Sequence, residues 1–108
     1  MNVIKKEEIF KLKDLISIEK GKILTEELVH NDAIKMVLKS FDEGMALPEH
    51  TAPGTALIFA LEGKAVITNN GVEYTISGGE NYAFFPEDVH SVRAVTAFKM
   101  AVVLVKEK

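Results

Sequence analysis

From residue 33 onward the chain is a series of short, strand-length runs separated by turn chemistry, and this spacing narrows the fold more than any other feature. Runs at 33–41, 55–61, 64–68, 72–76, 81–85, 91–96 and 98–105 read as strands. Asp42-Glu43-Gly44, Glu62-Gly63 and Ser77-Gly78-Gly79 break them, and Pro86 stops another. Asn69-Asn70-Gly71 is the strongest local signal. Asn-Gly supplies the positive φ that both central residues of a type I′ hairpin turn require. Short strands at even spacing predict an all-β sandwich or small barrel. Upstream, 23–29 reads as one more strand after a turn at Lys20-Gly21-Lys22. Ile9, Phe10, Leu12, Leu15 and Ile16 are read either as one face of a short helix or as an irregular arm.

The last run, FKMAVVLV, is apolar on both faces after Lys99, whereas a strand with one wet face should alternate. It is therefore expected to be covered twice, by the barrel interior and by a second surface. A partner subunit is the simplest cover, so a homodimer is expected. A chain of 108 residues is expected to form one domain, in which residues 1–32 make an arm and first strand packed on the barrel or on the partner, and residues 33–108 make the barrel. Lys and Arg are dispersed among acids and the net charge is −3, which argues against a nucleic-acid face. With no cysteine, thiolate metal sites and disulfides are excluded. No apolar run has the length of a membrane span, and the charged start MNVIKKEEIFKLKD is unlike a secretory signal, so the cytoplasm is the expected address.

Residues 44–63, GMALPEHTAPGTALIFALEG, carry the outline of a metal-site motif. Gly44, His50, Ala52, Ala56 and Gly63 fit the frame G-x5-H-x-H-x3-E-x6-G without insertion. A second, looser motif lies in GGENYAFFPEDVHSVRA, where Gly79, Pro86 and His90 are kept, Asp88 replaces a glycine and Ala94 an asparagine. With the hairpin KAVITNNGVEYTI between them, these stretches resemble the cupin superfamily, in particular small single-domain, RmlC-like cupins of the conserved-barrel kind. The resemblance implies an all-β cupin jelly-roll barrel (a double-stranded β-helix) with an N-terminal arm.

The resemblance also implies that His50 and His90 meet inside the barrel. The other ligand positions of the first motif are Ala52 and Ala56, so the set is two imidazoles at most. Zinc sites use three or four protein ligands, and non-heme iron oxygenases two histidines and a carboxylate. A single divalent transition metal (Zn, Fe, Ni or Mn) on His50 and His90 is the possible cofactor.

Strand parity places His50, Ala52, Ala56, Ile58 and Ala60 on one face. With Tyr82, Phe84, His90 and Met100 they are the expected lining of a ligand pocket. The small alanines leave space that larger groups would fill, and a barrel of this size can hold one small ligand. The expected function is a small-molecule-binding cupin with a reduced metal motif. The alternative is a metal-dependent dioxygenase, isomerase or decarboxylase working at a two-histidine site. His30 is expected at a solvent-exposed turn, Met36 and Met45 in the core, Arg93 facing outward or into an interface, and Lys99 at the surface or paired with an acid.

Overall fold

The computed structural model describes residues 3–106, so the extreme ends of the expected arm and barrel lie outside the described residues. Among the described residues nine strands form two antiparallel sheets. They are β1 (Ile23–His30), β2 (Ile34–Phe41), β3 (Ala46–His50), β4 (Gly54–Glu62), β5 (Lys64–Asn69), β6 (Val72–Ser77), β7 (Asn81–Phe84), β8 (His90–Ala94) and β9 (Phe98–Lys106). One sheet has the order β1-β2-β9-β4-β7 and the other β3-β8-β5-β6. This is a jelly-roll barrel. Among the described residues no helix is long and apolar enough to cross a membrane.

The barrel interior is built by alternation. Ala56, Ile58 and Ala60 on β4, Ala65 and Ile67 on β5, Val92 and Ala94 on β8, and Phe98 and Met100 on β9 interlock with Phe41, Ile76 and Phe84. Alternate residues of these strands point inward, so the two sheets close on one another. The β5–β6 hairpin turns at Asn70 and Gly71, with φ of 50° and 84°, as the Asn-Gly pair demands.

β3 was not among the expected strands. It holds Pro48, which has no N–H to donate to a ladder. It is tolerated because β3 is the edge of its sheet and pairs only with β8.

The N-terminal segment is an arm. It holds one short 3₁₀ turn, Leu12–Leu15, and is otherwise irregular. The five apolar residues expected along one helical face do not share a fate. Ile16 is buried, whereas Ile9 is fully exposed. Ile16 packs with Leu28, Leu38 and Ala101, flanked by Leu12, Leu15, Leu24, Met36 and Leu61, on the outer surface of the five-stranded sheet. Two side chains of the sheet tie the arm down. Ser40 Oγ donates to the Ser17 carbonyl at 2.7 Å, and Lys99 Nζ to the Lys13 carbonyl at 2.7 Å. Lys99 thus meets a backbone carbonyl instead of an acid.

The outer cover of β9 is therefore supplied in part by the chain itself. At Ala101 the arm seals the face completely, while Val103 is partly open and Val105 is 43% exposed.

Candidate functional site

A cavity of about 240 Å³ lies between the two sheets. Its floor is apolar: Ala56 and Ile58 from β4, Met100, Val102 and Leu104 from β9, Phe84 from β7, Val92 from β8 and Leu47 from β3. Thr51, Ala52 and Pro53, on the loop after β3, stand at its mouth. His50, His90, Lys35 and Lys39 are its ionisable groups, with Val37 between the lysines.

Of the nine expected lining residues, His50, Ala52, Ala56, Ile58, Phe84, His90 and Met100 do line this cavity. Ala60 and Tyr82 do not. Ala60 faces inward but is buried in the packed core beyond the cavity. Tyr82 is held toward the hairpin, with its ring 5.2 Å from that of Tyr74 and its hydroxyl accepting from Asn69 Nδ2 at 3.0 Å.

His50 and His90 are directly opposite in the β3–β8 ladder, beyond a register shift that follows Leu47. Their ring centroids are 4.4 Å apart and meet edge to face. His90 is buried and stacks on Phe84, 3.8 Å away and inclined by 7°. Each Nδ1 faces a backbone carbonyl: Pro48 at 2.9 Å for His50, Asp88 at 3.2 Å for His90. Donation from Nδ1 to these carbonyls leaves Nε2 as the lone-pair nitrogen whenever the ring is neutral. Burial first, and then the neighbouring His50, pushes His90 below its ordinary value. It is accordingly a neutral ring at neutral pH.

The loop that delivers His90 is stapled to the hairpin tip. Asp88 accepts from Phe85 N at 2.9 Å, Asn70 Nδ2 at 3.0 Å and Asn69 Nδ2 at 3.3 Å. Asn70 in turn accepts from Val89 N at 2.9 Å through Oδ1 and donates its own N–H to the Val89 carbonyl at 2.7 Å. The Phe85 N–H, then the Asn70 amide, hold the Asp88 carboxyl below the usual carboxylate range. Asp88, which takes the place of a motif glycine, is a loop organiser.

The donor set falls short of a metal centre. Two imidazoles of suitable tautomer are present, but Ala52 and Ala56 add no donor. Asp88 is engaged by three N–H groups, and Glu80 Oε1 accepts from Ser77 N at 2.8 Å. Among the described residues no group of three or more His, Asp or Glu is placed to hold an ion. The residues therefore do not fit the three- or four-ligand site that the fold's usual motif would supply.

Lys35 and Lys39 are the residues that sequence reasoning missed. Alternation with Phe41 puts both on the inner face of β2, opposite Leu104 and Met100 of β9. His30, by contrast, sits at the surface as expected, with Nδ1 3.2 Å from Glu27.

The Cupin domain family model matches residues 37–106, and the chain belongs to the cupin family. A conserved protein of unknown function from Streptococcus pyogenes is similar over 99% of this chain and 94% of its own, with 29% identity and a TM-score of 0.94. A cupin superfamily protein from Desulfitobacterium hafniense covers 96% of this chain and 95% of its own, with 23% identity and a TM-score of 0.93. A cupin 2 conserved barrel domain protein from Leptotrichia buccalis reaches 32% identity and a TM-score of 0.87 over 90% of this chain and 47% of its own. No curated protein matches the chain at a significant level.

Proposed function

We propose that this cupin is a cytoplasmic homodimer that holds a small molecule inside the barrel, against the alanine-lined floor and beside His50 and His90. The observation that carries the reading is the cavity itself, about 240 Å³ of space where two of the family's ligand positions carry only methyl groups. An apolar concavity with a few convergent polar groups is the usual form of a small-molecule site. The metal-enzyme alternative has no comparable support, because its third donor is missing among the described residues.

Filling the cavity tests the reading. Ala56→Phe places a ring in the cavity at an overpacking cost of about 1–3 kcal/mol. In a thermal-shift screen of metabolite-sized compounds, those that stabilise the wild type should leave Ala56→Phe unshifted, because a ligand stabilises only the state that binds it. Equal shifts in both proteins would move binding out of the barrel.

The dimer rests on a different observation. Beyond the arm, the outer face of the five-stranded sheet is still apolar. Met36, Val103 and Leu57 form one row across β2, β9 and β4, with Ile34 beside Val105 and Phe59 beside Ala101 in the adjoining rows. Leu57 and Phe59 are 36% and 38% exposed. A second copy is proposed to cover this patch. Sedimentation should give a dimer for the wild type at micromolar concentration and a monomer for Leu57→Lys. A monomeric wild type would remove the proposal.

A further inference from the structure

The inner face of β2 carries two cations into an apolar barrel. Lys35, Val37 and Lys39 stand opposite Leu104, Val102 and Met100 in the β2–β9 ladder, and all six line the cavity. Both lysines are partly buried, and a charge drawn out of water is costly to the extent that it is unpaired. The protein supplies little compensation. Among the described residues Lys39 Nζ donates once, to Thr25 Oγ1 at 2.8 Å, which leaves two N–H groups of its ammonium for another acceptor there. Among the described residues neither lysine is in an ion pair, and the lining of the cavity contains no Asp or Glu. Glu27 lies on the same face of the sheet, opposite Val37, but its carboxylate is 3.2 Å from His30 Nδ1. Burial, then the charge of Lys35, lowers the pKa of Lys39, as expected of an ammonium that lacks a counter-charge.

We propose that the barrel selects small organic acids, with the carboxylate seated against Lys35 and Lys39 and a compact apolar body on Ala56, Ile58 and Val102. This rests on the pocket reading above and names its ligand class. The acid completes the charge balance that the chain leaves open. The alanines and β9 supply the apolar wall. On the opposite sheet, the free Nε2 atoms of His50 and His90 are suited to a hydroxyl on the ligand. The cavity of about 240 Å³ limits the body to less than a drug-sized molecule, which needs roughly 300 Å³ or more.

The test is calorimetric titration of the full chain with benzoate and 4-methylpentanoate, each beside its neutral amide, and with inorganic phosphate. The expected result is that at least one of the two acids binds at millimolar concentration or below, while its amide and phosphate bind at least about tenfold more weakly. Lys39→Met keeps the length of the stem and removes the charge, and it should weaken binding of that acid by about ten- to hundredfold. Lys35→Met is the second variant and should act in the same direction. Both variants should fold, because each removes a cation from an apolar wall. Amides that bind as well as the acids, or acid binding unchanged in both variants, would overturn the charge assignment and leave the pocket reading standing. Phosphate binding equal to that of the acids would overturn the apolar body. No binding by either acid or either amide would overturn both readings together.

Discussion

Gly63→Ala should cost about 3–5 kcal/mol, a large share of the roughly 5–15 kcal/mol total stability of a domain, and should lower the unfolding midpoint strongly. Gly63 has φ of 86°, where an L side chain is strained. A Cβ there would be driven into the Ala97 carbonyl oxygen and would stand 2.9 Å from Thr96 Oγ1. Those atoms cannot yield cheaply. The Lys64 carbonyl accepts from Val95 N at 2.9 Å and Thr96 N at 3.2 Å, while Lys64 N donates to Thr96 Oγ1 at 3.0 Å. The turn between β4 and β5 is therefore locked to the turn between β8 and β9. Gly71→Ala is the matched control, with φ of 84° and nothing within 4 Å of the new methyl group. It should cost only about 1–2 kcal/mol, the left-handed penalty alone. Urea unfolding of both variants measures the difference, and equal midpoints would show that the Ala97 contact relaxes.

Ile16→Asp should be the most damaging substitution in the arm, with a loss of at least about 3 kcal/mol. Ile16 is 8% exposed and plugs the cluster above Leu38 and Ala101, both fully buried. A carboxylate there has two outcomes. It stays buried without a partner, or the arm lifts off and leaves Leu38, Leu28 and Ala101 in water. Limited proteolysis separates them, because a lifted arm is cut first in the segment before β1. Ile9→Asp is the control, because Ile9 touches water on all sides and should be neutral within about 0.5 kcal/mol. Unchanged stability in Ile16→Asp would mean that the arm contributes nothing to the barrel.

These residues also show how far the sequence could be read. The strands from β4 to β9 were legible because turn chemistry lies between them in plain view, Asn70-Gly71 above all. β3 was not legible, because Pro48 reads as a strand breaker until the neighbouring order reveals an edge. Parity placed Ala60 on the correct face but could not give depth, and nothing in the sequence showed what Tyr82 would bind. Ala60 lies below the cavity, and Tyr82 is drawn to the hairpin by Asn69.

The lysines of β2 were hidden for a subtler reason. In IKMVLKSF, the natural reading turns Met36 and Leu38 to the core and Lys35 and Lys39 to water. The arm reverses this by giving the outer face a core of its own. An alternating pattern says which residues share a face. It does not say which face is the inside when both are covered.

The bonds between Asn70 and the Asp88–Val89 segment have a mechanical consequence. His90 cannot shift alone, because the loop on which it hangs is knotted to the tip of a hairpin whose strands form the far side of the same sheet. The pocket wall and the hairpin are tied together by these bonds. If a ligand moves the imidazole, hydrogen exchange at the Val89 amide, which donates to Asn70 Oδ1, is expected to change with it.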